Sequence, residues 1–280
     1  MNEVWNLWRT FLQKIVERRA RKYHKLPGLH QHQYSVFWQM IYKKKSARWF
    51  PHCLTAEQKQ KRLEIATLLK QWFNIEGQAV LYQTVTTDKT WVRDFELELK
   101  SQSNEWRSPT SLRPKKFRRA QSLVKQMMSF AYDHRGIIMT DRVPCGTSVT
   151  AAYYCDWMQK LCRKMHKNWP DLLEDRSLIL HNNAHLRLGK VVTNLLSKYE
   201  WEVLSHAPYG PDMSPPDFDL FPKLKELMRG HRFSSLEEVS AAVTRAVRGL
   251  NKSGTLNGIA NLPKRWNMVL EKQGDYIKGL

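Results

Sequence analysis

Three oxygen-bearing side chains could carry chemistry in this sequence. Asp88 closes the segment AVLYQTVTTD, and Asn182 follows the apolar run LIL in LILHNNAHLRLGK. Asp217 lies in YGPDMSPPDFDLFPKLK, with 34 residues between it and Asn182. Strand ends and helix starts from separate segments are how a sheet gathers oxygen donors around a hard divalent cation, which keeps positions open for phosphate. Two such cations could activate a water and stabilise the leaving oxygen of a phosphodiester. Asn182 would supply an oxygen without a charge, as though a carboxylate had been lost. Plainer roles stay open. Ser214-Pro215-Pro216-Asp217 also suits a helix start, with a Ser cap, Pro in the first turn and an acid at the third position, and Asp88 could be an ordinary strand end. His181 and His185 stand four apart, but HNNAH lacks the general-base Glu and the third ligand of a zinc-binding helix.

The elements that must position these residues follow from periodicity. Thr55-Ala56-Glu57-Gln58 reads as a capping box opening a helix that buries Ile65, Leu68, Leu69 and Trp72. AVLYQTVTTD reads as a buried strand ending at Asp88, TWVRDFELEL as the next strand and SLVKQMMSFAY as a third. A helix with Tyr153, Trp157, Met158 and Leu161 on one face follows, and RSLIL then makes a short strand ending at His181-Asn182. Another helix, apolar at Leu188, Val191, Val192 and Leu195, leads into EVLSHAPYG, which starts as a strand. Strands first, then strands alternating with helices, predict an α/β domain with a mixed sheet and helices on its faces. Residues 1–24 carry an amphipathic stripe (Val4, Trp8, Phe11, Leu12, Ile15) running into the basic ERRARKYHK, and KLPGLHQHQ reads as a linker.

Charge narrows the partner. Lys and Arg number 46 against 26 acids, a formal +20, which favours a polyanion, most often nucleic acid. Arg113, Lys115, Lys116, Arg118 and Arg119 concentrate that charge in RPKKFRRA, between Trp106 and Phe117. The run reads as a solvated loop, a phosphate-contacting loop or a nuclear-import signal, and its DNA affinity would be largely sequence-independent and weakened by salt. The four cysteines form no CxxC pair, so they read as packed, reduced thiols of an intracellular protein. No apolar run approaches the ~18 residues of a membrane span, so no membrane partner is expected.

From about Lys45 to Tyr276 the chain resembles the catalytic region of mariner-type transposases of the Tc1/mariner superfamily. ARWFPHCLTAEQKQKR is similar to the linker motif WVPHEL, VTTDKTWV to TGDEKWV, and LHNNAHLR to HDNARPH. APYGPDMSPPDFDLFPKLK is similar to PPYSPDLSPXDFXLFXXLK, and SNEWRSPTSLRPKKFRRAQS, RGIIMTDRVPCGTSVTAAYY and RWNMVLEKQGDYI fall in order among them. The resemblance implies a ribonuclease-H-like fold and a magnesium- or manganese-dependent centre that cuts and joins DNA. Its three acidic positions map to Asp88, position 182 and Asp217. Asn182 stands where the family has its second Asp, so metal binding is expected to be weak and activity impaired. Lys89 replaces the acid after Asp88, a second charge change next to the centre. A non-catalytic DNA- or protein-binding module and an inert transposon relic are the rival expectations.

The expected organisation is a basic segment at 1–44, too short for the family's paired helix-turn-helix domains, then a linker and first helix at 45–80, then the catalytic-type domain at 81–280. The family's dimeric habit implies a homodimer, and its chemistry implies the nucleus.

Overall fold

The chain divides into two compact units, Met1–Trp49 and Phe50–Leu280. The computed structural model describes residues 52–97, 124–174, 176–182 and 189–277, all in the second unit. The expectations for residues 1–44, for the basic residues Arg113 to Arg119 and for His185 and Leu188 lie outside the described residues.

The capping box forms as its residues dictate. Thr55 Oγ1 accepts the Gln58 N–H at 3.2 Å, and Gln58 Oε1 accepts the Thr55 N–H at 3.0 Å. Helix α1 (Ala56–Glu76) then runs to Gly77, whose φ of 64° ends it. Arg62, Ile65, Ala66 and Leu69 form its buried stripe. Leu68, expected in that stripe, is 59% exposed, and Trp72 only borders the core. The stripe recurs at spacings of three and four, which leaves position 68 to one side of it.

The next two expectations change. Gln78–Gln83 is a short helix, α2, burying Val80 and Leu81. It ends where the Thr84 hydroxyl donates to the Val80 carbonyl at 2.6 Å. The two strands expected on either side of Asp88 are one, β1 (Thr84–Arg93), because β2 (Lys125–Asp133) pairs with it antiparallel from Thr86 to Arg93 without a break. β2 answers to the strand expected at SLVKQMMSFAY, whereas β3 (Gly136–Arg142) has no counterpart among the expected elements. The tight turn Asp133-His134-Arg135-Gly136 makes it possible: the Asp133 carboxylate accepts the N–H groups of Arg135 and Gly136, each at 3.0 Å.

Helix α3 (Ala151–Asn168), a short α4 (Asp171–Glu174), β4 (Leu178–His181), α5 (Lys190–Lys198) and β5 (Glu202–Val203) follow. α5 buries Val192 and Leu196, while Val191 is 64% exposed, against expectation. Helices α6 (Phe221–Met228), α7 (Leu236–Ser253) and α8 (Leu262–Glu271) complete the described chain. The strand order is β3-β2-β1-β4-β5; β1, β2 and β3 are antiparallel neighbours, and β4 and β5 run parallel to β1. One face carries Phe130, Tyr132, Leu178 and Leu180 against α1 and the C-terminal helices. The other carries Val85, Ala131 and Ile179 against α3 and α5. This is the expected mixed sheet with helices on both faces.

Cys155 and Cys162 are packed thiols as expected, but Cys53 and Cys145 are exposed. Among the described residues no helix is long and apolar enough to cross a membrane.

Candidate metal centre

Strand register assembles the centre. β4 pairs with β1 from Thr84↔Leu178 to Thr87↔His181, so the next step in register sets Asp88 beside Asn182. Asp88 does not end its strand, against the expectation from the sequence; it stands mid-strand where the parallel neighbour stops. The Asn182 amide Nδ2 donates to Asp88 Oδ1 at 3.2 Å.

Side chains alternate across a strand. Asp88 pairs with Phe130 and therefore shares the face of the larger core, whereas Lys89 pairs with Ser129 and points to the α3 side. The charge at position 89 thus lies across the sheet from Asp88, which corrects the expectation that it flanks the centre. His181 also belongs to the α3 side, its ring 6.0 Å from that of Tyr154; the rest of the HNNAH reading lies outside the described residues.

Asp217 arrives from a separate element. Pro215 and Pro216 have no N–H to offer, and the N–H groups of Asp217 and Phe218 both turn back to the Ser214 carbonyl, at 2.9 and 3.1 Å. The chain winds through a π turn, Pro216–Leu220, directly into α6. The helix start expected here forms with Pro in its first turn but without the Ser cap, because Pro215 takes the cap position and no side chain caps the turn; the same turn delivers Asp217 to Asp88. Burial raises the Asp217 carboxyl from its ordinary 3.8 to about 6, the Asp88 charge adds to the rise, and a Ser214 hydrogen bond and the Lys225 charge oppose it. Burial, then the charges of Asp219 and Asp217, hold the Tyr132 phenol well above its ordinary value.

The three predicted positions thus come together from β1, the end of β4 and the π turn. Their donor set is two carboxylates and one amide, all able to present oxygen to a hard dication. The amide presents its nitrogen to Asp88 and reverses its atoms by a half-turn of the same side chain. The set suits a divalent cation with one negative charge fewer than three carboxylates would bring. Among the described residues no group of three His, Cys, Asp or Glu side chains could hold a metal.

Sequence reasoning missed Lys225 and Tyr132, which interact with Asp217, and Asp219, which interacts with Tyr132 behind it. Only the Asp219–Lys223 spacing of four, in DFDLFPK, was a readable signal for the last.

Comparison with known proteins agrees with this architecture. The family described as Transposase (partial DDE domain) matches residues 96–174. The Mariner Mos1 transposase of Drosophila mauritiana is 27% identical over 238 residues, covering 84% of this chain and 67% of the relative. The histone-lysine N-methyltransferase SETMAR of Homo sapiens is 25% identical over 236 residues, covering 84% of this chain but only 34% of that much longer protein. The crystal structure of the Mos1 mariner paired end complex with Mn superposes with a TM-score of 0.79 at 26% identity, over 89% of this chain and 72% of that one. The Mos1 transposase paired-end complex with left transposon end gives 0.81 at 25% identity, over 96% and 79%. The expected ribonuclease-H-like fold is borne out.

Proposed function

We propose that this chain, a relative of the mariner-type transposases in sequence and fold, is a DNA-binding protein whose phosphodiester-cleaving centre is weakened by the loss of one carboxylate. The observation that carries this reading is that Asp88 meets both the Asn182 amide and the Asp217 carboxyl, and that the resemblance implies a third carboxylate at position 182. A transposase complex with Mn and another with a transposon end among the similar structures support a divalent cation and a DNA partner, and the +20 charge supports a polyanion.

Asp88, Asp217 and the Asn182 amide oxygen would hold magnesium or manganese, weakly. Such an ion supplies Lewis-acid stabilisation and a nucleophilic water at neutral pH. Asp88 and Asp217 would contribute the negative charge that retains it. Asn182 contributes an oxygen alone, so attraction in this half-buried centre falls. Losing a ligand's charge should reduce activity by more than the ~10–100-fold typical of changes to residues that only support ligands. A nuclear location and a weak homodimer belong to the same reading; a monomeric mass by sedimentation at tens of micromolar rules out the dimer.

The Asn182→Asp variant tests the reading, because Asn and Asp are nearly isosteric. It should gain manganese-dependent nicking of supercoiled plasmid, and Asp88→Asn in that background should abolish the gain. If Asn182→Asp neither nicks nor binds manganese by calorimetry, Asp88 and Asp217 are only a strand residue and a turn residue. One observation favours the non-catalytic alternative: the Asn182 amide already satisfies Asp88 without a cation. Salt-sensitive DNA binding with no nicking in either variant would establish that alternative.

A further inference from the structure

Asp219 is the carboxylate of PDFD that the centre leaves unused. Residues two apart on a helical turn leave the backbone on roughly opposite sides, so Asp217 meets Asp88 while Asp219 turns into the protein, where it is 5% exposed. There Oδ2 accepts the N–H groups of Asn257 at 3.1 Å and Gly258 at 2.8 Å. Oδ1 accepts from the Lys223 ammonium, which also donates to the Thr255 carbonyl. The π turn is thereby fastened to the connection between α7 and α8. Tyr132 of β2 closes the other side, fully buried, with its hydroxyl unpartnered. A Cβ on Gly258 would stand 2.6 Å from the Tyr132 hydroxyl and 2.9 Å from Asp219 Cβ, so only a bare Cα fits between them. With its oxygens engaged in this way, Asp219 cannot stand in for the carboxylate missing at 182.

We propose that Asp219 is a positioning residue for Asp217: fastened to the 255–258 connection and hemmed in by Tyr132 and Gly258, it sets the turn in which Asp217 meets Asp88. Single π turns recur inside helices at functional sites, and this one joins a buried anchor to a half-buried acid two residues away. The proposal rests on the reading of Asp88 and Asp217 as the cation-holding pair.

The test is a double-mutant cycle of Asp88→Asn and Asp217→Asn, followed by urea unfolding without metal, in the parent chain and again with Asp219→Asn. In the parent the two substitutions should be non-additive by at least about twofold in the folding equilibrium, as for groups in contact. With Asp219→Asn that coupling should vanish. A coupling that persists while overall stability falls makes Asp219 a structural anchor only and overturns the proposal, as does its absence from the parent. Gly258→Ala disturbs the same fastening without touching a carboxylate and carries the test if Asp219→Asn does not fold. It should also abolish the coupling, and Tyr132→Phe, which removes the atom nearest the new methyl, should restore it in part; full coupling in Gly258→Ala overturns the proposal. Manganese calorimetry on Asn182→Asp separates the two readings: no binding there retires the metal centre, while the metal-free cycle still decides the role of Asp219.

Discussion

The side-chain amide of Asn182 donates to the Asp88 carboxylate across 3.2 Å, one register step beyond the last backbone pair of β1 and β4. A carboxylate at 182 would exchange that hydrogen bond for a like-charge contact. Asn182→Asp should therefore be less stable than the parent in chelator, by about 1–3 kcal/mol, the usual cost of losing the partner of a desolvated polar group. Added manganese should recover that loss in the variant and change the parent little, because a ligand stabilises only the state that binds it. Thermal unfolding with and without manganese measures both, and equal responses in the two proteins would count against a charge defect at 182.

Lys89 should matter little to the centre. Strand alternation sends it to the α3 side, away from Asp88. Adding Lys89→Glu to Asn182→Asp should change plasmid nicking by less than about threefold at physiological ionic strength, where charges across the sheet are partly screened. A requirement for Lys89→Glu before any nicking appears would show that the charge reaches the centre despite the alternation.

The Asp217 carboxyl gives stability a pH signature. Its folded value, about 6, exceeds its unfolded 3.8, so the folded state holds a proton the unfolded state has released between those two values. The associated stabilisation is complete below about pH 3.8 and is lost as pH rises through about 6, on the order of 2–3 kcal/mol in all. Asp217→Asn should remove this component. Urea titrations at pH 5 and 7.5 should show the parent losing more stability on going to 7.5 than the variant does, and parallel behaviour would be evidence against the raised value.

Arg62 holds the loop that precedes the π turn. Its buried guanidinium pairs with Asp212 at 2.7 Å, and its Nε donates to the Gly274 carbonyl at 2.8 Å. Asp212 in turn accepts the Ile277 N–H at 3.1 Å. Truncating one member of a buried pair leaves an uncompensated charge. Arg62→Ala should cost about 3–5 kcal/mol in urea unfolding, and Arg62→Lys should rescue only part of it, because an ammonium cannot reproduce the planar fork. A loss below about 1 kcal/mol would mean that water replaces the guanidinium there.

Local chemistry was legible in the sequence where it is settled locally. The capping box of Thr55 and Gln58 needs partners three residues apart, and it forms as written. The landmarks in VTTDKTWV, LHNNAHLR and SPPDFDLF also led to Asp88, Asn182 and Asp217, which the fold brings together. What tertiary structure alone decided was where those elements begin, end and face. The segment around Asp88 reads equally well as two strands or one, and only uninterrupted pairing with β2 makes it one. β2 and β4 likewise fix the strand register, which sends Asp88 and Lys89 to opposite faces. Asp219 meets the Gly258 N–H 39 residues away, and Arg62 meets Asp212 150 residues away. Capping and alternation act between near neighbours in the chain, so their outcome is written in a few adjacent residues. Pairing register and buried polar contacts join distant segments, and their free energy exists only once the sheet has brought those segments together.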